Sequence, residues 1–168
     1  MKKHFKFDTA EPLLRFLYQN KERIIGQHIR RFYSSTAFGE MSATPLAFEL
    51  DDYSIVISYY FCSSMNLYVV DSDSLKNDLS LNFLYQDKPE SRNLRQWISE
   101  AKFPYLGQAV EDICISRFSH EFEINPSTRE TRPDGGDYFS AITVVLSSGR
   151  EFNICAADSI CDGYIEIW

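Results

Sequence analysis

The feature that most limits what this chain can fold into is an echo within it. Gly26-Gln27-His28-Ile29 and Gly107-Gln108-Ala109-Val110 each follow a stretch of helical character, and each leads into an apolar strand, a tight polar turn and a second apolar strand. In the first copy these are Leu46–Leu50, Asp51-Asp52 and Ile55–Tyr60; in the second they are Ile142–Leu146, Ser147-Ser148-Gly149 and Phe152–Cys155. Apolar runs of this length bounded by turn residues read as strands. The expectation is one domain over 1–168, built from two related strand-rich halves at 24–85 and 105–168. Its class is α+β, predominantly antiparallel sheet, with an N-terminal helix and a short central helix.

The N-terminal helix has clear signals. Asp8 or Thr9 supplies a cap, Glu11 and Pro12 suit its first turn, and Leu13, Leu14, Phe16, Leu17 and Ile24 form an apolar stripe ending near Gly26. Gln27–Tyr33 reads as a strand and 34–44 as a loop. A meander follows over Leu46–Leu50, Ile55–Phe61 and Met65–Val70, then a strand over Asn77–Tyr85 and the central helix over Pro89–Ala101. After Pro104, Val110, Ile113 and Ile115 lead a strand that bends into Phe118–Ile124, and Asn125–Asp137 reads as a loop. Phe139–Leu146 and Glu151–Ala156 form the clearest hairpin. Tyr164–Trp168 alternates outward and inward as a last strand. Thirteen Phe and ten Tyr among 168 residues suit a sheet-rich core.

Charge is unevenly placed. Residues 1–31 hold eight basic and three acidic side chains, a net of +5, which leaves −12 for the rest of a chain whose total is −7. A body this acidic repels phosphates and attracts basic partners, chiefly by raising the association rate. Direct nucleic-acid binding would rest on the basic N-terminal segment alone, so none is expected. No stretch approaches the roughly 20 apolar residues that span a bilayer. Cys62, Cys114, Cys155 and Cys161 lack paired spacing and read as buried thiols of a reducing compartment, so a cytoplasmic protein is expected.

Catalytic signatures are missing. His4, His28 and His120 fall in no motif, and G-x-S-x-G, G-x-G-x-x-G and the P-loop pattern do not occur. Asp134-Gly135-Gly136-Asp137 could offer oxygens to a hard cation but lacks the ligand periodicity of an EF-hand loop, and its Asp and Gly read as those of a turn. No catalytic residue, metal or cofactor is expected. Protein recognition remains, and its candidates are the acidic and tyrosine residues near strand ends: Glu49, Asp51, Asp52 and Tyr59, with Tyr60 beside it; Glu111, Asp112, Glu121 and Glu123; Asp134, Asp137, Tyr138, Asp158 and Asp162. If Asp51, Asp52, Asp134 and Asp137 serve recognition, Asn in their place slows association and spares the fold; if they serve turns, stability falls.

In size, acidity and strand pattern, with Arg132-Pro133-Asp134-Gly135-Gly136-Asp137-Tyr138-Phe139 and the tail Asp162-Gly163-Tyr164-Ile165-Glu166-Ile167-Trp168, the chain resembles bacterial immunity proteins of polymorphic and contact-dependent toxin systems. The resemblance implies a tight stoichiometric complex with a cognate toxin domain, often a basic nuclease, no enzymatic activity, and a monomer or weak homodimer when free. The rival expectations are a ligand-binding protein or enzyme with a carboxylate-lined pocket between the halves, near Asp51 and Asp137, and a structural or adaptor subunit.

Overall fold

In a computed structural model, the structure describes residues 5–34, 38–39, 41–42, 46–59, 64–71, 99–119, 121–125, 127–128, 130–133, 135–158 and 163–168. The chain is α+β and dominated by antiparallel sheet. Its elements are β1 (Phe5–Phe7), α1 (Ala10–Gln19), α2 (Lys21–Ile24), β2 (Arg31–Ser34), β3 (Met41–Ser42), β4 (Leu46–Glu49), β5 (Tyr53–Tyr59) and β6 (Met65–Asp71). There follow β7 (Ser99–Glu100), β8 (Val110–Phe118), β9 (Glu121–Asn125), β10 (Glu130–Pro133), β11 (Tyr138–Leu146), β12 (Glu151–Asp158) and β13 (Gly163–Ile167). A six-stranded sheet runs β1-β6-β5-β4-β2-β7, a five-stranded sheet runs β3-β13-β12-β11-β8, and β9 with β10 makes a small separate ladder.

The two sheets share one core. Phe48, Ile57, Leu67 and Val69 of the first pack in the same cluster as Ile142, Val144, Phe152 and Ile154 of the second. Phe103, outside any strand, joins them: its ring lies 5.0 Å from Phe32, 5.3 Å from Phe48 and 5.1 Å from Phe152, centroid to centroid.

Within each sheet four strands succeed one another in the same order, β2-β4-β5-β6 and β8-β11-β12-β13. The Gly-Gln segments that precede β2 and begin β8 lie side by side, with His28 opposite Ala109. Their bonds are reciprocal. Gly26 N–H donates to the Val110 carbonyl and Gly107 N–H to the Ile29 carbonyl, both at 2.8 Å; Val110 N–H reaches the Gln27 carbonyl and Ile29 N–H the Gln108 carbonyl. Both glycines have positive φ, +88° and +82°, which a side chain would strain. Each glutamine side chain then ties down its own hairpin turn: Gln27 Oε1 accepts the Asp52 N–H, and Gln108 Oε1 accepts the Ser148 hydroxyl.

Several expectations are corrected. Neither Asp8 nor Thr9 caps α1 with its side chain; Thr9 stands at the cap position without such a bond. Asp137 does the work from across the fold, its carbonyl accepting Ala10 N–H and its Oδ2 accepting Glu11 N–H at 2.8 Å. The end of the segment read as a central helix, Ser99–Glu100, is a strand paired with β2, because an edge needing main-chain partners outweighs local helical preference; 89–98 lie outside the described residues, as does Asn77–Tyr85. The 34–44 loop contains β3, the 125–137 loop contains β10, and β1 has no counterpart in the sequence reading. The strand read over Gln27–Tyr33 is a bridge at His28 followed by β2.

Candidate functional site

The sheets differ in what covers them. On the outward side of the first, Ala47, Ser54, Val56 and Val70 are fully buried. On the corresponding side of the second, three rows cross the strands: Asp112, Val145 and Glu151; Cys114, Thr143 and Asn153; Ser116, Ala141, Cys155 and Glu166. Every one of these side chains is exposed or half-buried, whereas their neighbours on the inward side, Ile142, Val144, Phe152, Ile154, Ile165 and Ile167, are buried. Strand alternation places the two sets on opposite faces. The second sheet therefore presents an uncovered face.

That face is acidic. Asp112, Glu151 and Glu166 lie on it, exposed Glu111 stands at the start of β8, and among the described residues of the three rows there is no Lys or Arg. At its corner Trp168, opposite Asn153 and exchanging backbone bonds with it at 2.7 and 3.0 Å, is 52% exposed. Thr143 donates to Asn153 Oδ1 at 2.6 Å in the middle of the face. Burial, with the Glu166 carboxylate nearby, pushes the Cys155 thiol above its ordinary range. Cys114 is exposed, not buried as its apolar neighbours imply. β8 is the end strand of its sheet, and beyond Val110, which bonds to Gly26 and Gln27, no described strand pairs with its outer edge.

Other candidates are placed elsewhere. Glu49, 6% exposed, lies on the buried side of the first sheet, accepting from the Tyr33 hydroxyl at 3.1 Å with Arg31 at 3.7 Å, and so is withdrawn from any partner surface. Asp51 accepts the His28 N–H at 2.8 Å, faces His28 Nδ1 at 3.0 Å and takes a bond from Arg30 Nε; the His28 bonds, then Arg30, hold its carboxyl down at about 2. Asp52 is exposed in the same turn. Asp137 also clasps Arg117, at 2.9 and 3.0 Å. Asp51 and Asp137 thus serve internal geometry. Tyr59 is half-buried against the core, and Tyr138 is half-buried with its ring 5.8 Å from Phe118. Glu121 and Glu123 belong to β9, in register with Pro133 and Thr131, and Asp158 ends β12 opposite Gly163. Tyr60, Asp134 and Asp162 lie outside the described residues.

Trp168 and Glu166 were absent from the sequence-derived candidates. The alternation of Tyr164–Trp168 carried the signal, since burying Ile165 and Ile167 turns Glu166 and Trp168 the other way.

Between the two sheets, where a pocket is the rival expectation, an apolar cavity of about 30 Å³ is lined by residues including Ile29, Phe48, Ile57, Val110, Val144 and Phe152; small-molecule sites run to roughly 300–1,000 Å³. Among the described residues no group of three or more His, Cys, Asp and Glu is placed to share a metal ion, and no helix is long and apolar enough to cross a membrane. Comparison with family models, with curated proteins and with solved structures finds no match to the chain.

Proposed function

We propose that this chain is a binding protein that captures a basic protein partner on the uncovered face of its second sheet, and that the partner is a toxin domain neutralised by stoichiometric complex formation, as the resemblance to immunity proteins implies. The observation that carries the reading is the face itself, with Glu111, Asp112, Glu151 and Glu166 on or beside it, no described Lys or Arg in its rows and an exposed Trp168 at its corner. Carboxylates on a sheet face whose described rows hold no Lys or Arg draw a positive partner in before contact, and an indole is among the side chains that most often anchor a protein interface. A nuclease must offer phosphates a basic surface, which is what such a face complements.

Coexpression with the toxin domain encoded next to this gene, followed by purification and association kinetics, tests the proposal. A one-to-one complex and rescued growth are expected. Asp112→Lys combined with Glu151→Lys should slow association at least about tenfold at low salt and leave the circular dichroism spectrum unchanged. Failure of any basic toxin domain to bind, or wild-type rates in the charge-reversed variant, would refute it.

A further inference from the structure

We propose that the edge of β8 from Ile113 to Ile115, on which no described strand lies, is a docking slot for an extended segment of the partner, taken up as a further antiparallel strand whose apolar side chains enter a groove beside α1 and whose basic side chains lie near Asp112. The inference rests on the preceding reading and specifies how the partner is held.

An internal precedent supports it. β2 and β8 stand against matched hairpins: Arg31 is opposite Glu49 and Phe32 opposite Phe48, as Asp112 is opposite Val145 and Ile113 opposite Val144. On β2 the outer edge is filled by β7. Tyr33 pairs with Glu100, Ser34 pairs with Ser99, and the Phe32 carbonyl accepts the Ala101 N–H at 2.9 Å. On β8 the equivalent stretch from Ile113 to Ile115 has no strand on it among the described residues. Backbone groups of a strand alternate between its two sides, so Ile113 and Ile115, placed as Phe32 and Ser34 are, turn their N–H and C=O groups outward. The Ile113 N–H agrees: its partner is the side chain of the adjacent Asp112, at 2.9 Å. Such an edge accepts a strand by main-chain hydrogen bonding.

The flanks of the edge say what kind of strand fits. On the inward side a mainly apolar groove of about 200 Å³ is lined by Leu14, Leu17, Tyr18, Lys21, Ile24 and Ile25, with Asp112 and Ile113 at its strand side. Tyr18 at its rim is 85% exposed. On the other side, exposed Glu111 and Asp112 mark the start of β8, while Arg117 near its end is already paired with Asp137 and Glu11. An antiparallel guest thus meets the carboxylates of Glu111 and Asp112 along its C-terminal half and, on its groove face, a mainly apolar surface in which Lys21 is the one basic side chain. An alternating apolar and basic strand satisfies both. A second copy of this chain would bring its own Glu111 and Asp112 and no uncommitted basic residue from β8.

The test uses the full chain and two synthetic probes: a short alternating Val-Lys peptide, and a peptide of the same charge with prolines in place of the valines, which cannot form a ladder. Amide exchange is followed by NMR. The Val-Lys peptide should slow exchange at Ile115 at least tenfold and perturb Tyr18, the proline peptide should do neither, and Asp112→Lys should weaken the Val-Lys peptide about tenfold without moving the unfolding midpoint. Equal binding of both peptides would overturn the slot and leave the acidic face standing. Binding of neither would count against both. Protection of Ile115 in the free protein, together with a dimeric mass, would give the edge to a second copy and overturn the proposal.

Discussion

Asp137→Ala should reveal that an acidic residue chosen for recognition is a structural clasp. Its Oδ2 accepts the Glu11 N–H at 2.8 Å and closes the N-terminus of α1, where Thr9 gives no side-chain bond. Its Oδ1 holds Arg117 at 2.9 Å, with Glu11 a further 3.6 Å contact of the same guanidinium. Losing a cap costs about 1 kcal/mol. Losing the partly exposed Arg117 pair adds about 0.5 kcal/mol, since solvent screens it and Glu11 remains. The sum, about 1.5 kcal/mol, lowers the melting midpoint of a chain this size by about 3–6 °C. Asp137→Asn keeps an oxygen for the Glu11 N–H and loses mainly the charge, so about a third to a half of that loss is expected. Thermal melts followed by circular dichroism, with urea titration as a check on the slope, measure both. An alanine variant that melts with the wild type would refute the clasp, as would a normal melt combined with slowed partner association.

Three further outcomes follow from the packing and charges. Phe103→Ala, which removes the ring shared by Phe32, Phe48 and Phe152, should cost about 3–5 kcal/mol in urea unfolding, the range for a large core aromatic. Gly136→Ala places a methyl group against the outer end of the half-exposed Tyr138 ring, which must turn aside; a cost below about 1 kcal/mol is expected, with a changed environment for Tyr138 in near-ultraviolet circular dichroism. Asp51 has a folded-state pKa of about 2 against an ordinary 3.8, so its contribution is full above about pH 4 and is lost as pH falls toward 2. Screening at this part-exposed site reduces that contribution to about 1 kcal/mol; Asp51→Asn should flatten this limb of the stability profile, and an unchanged acid limb would count against the His28–Asp51–Arg30 arrangement.

The hairpins and the paired Gly-Gln corners were legible because each carries local chemistry: apolar runs of strand length, tight polar turns, glycines where φ turns positive. β1, β3 and β7 were not. Strands of two or three residues have too short a period to register, and they exist because an edge elsewhere in the fold supplies their hydrogen bonds. The cap on α1 comes from a residue 126 positions away, which no local pattern announces. The acidic candidates differ in one respect that the sequence does not register. Composition counts carboxylates alike, but folding buries Glu49, gives Asp51 and Asp137 internal donors, and leaves Asp52, Glu111 and Asp112 in solvent. Trp168 was within reach of the strand alternation once the inward residues of its strand were assigned.

The association rate of a basic toxin domain that co-purifies with the chain, measured from low to high salt with wild type and with the Asp112→Lys, Glu151→Lys pair, bears most directly on the proposal that an acidic sheet face does the capturing. The wild-type rate should fall by about tenfold or more as salt screens the face, and the reversed pair should start slow and respond little. A rate indifferent to salt, or one shared by both proteins, would contradict it.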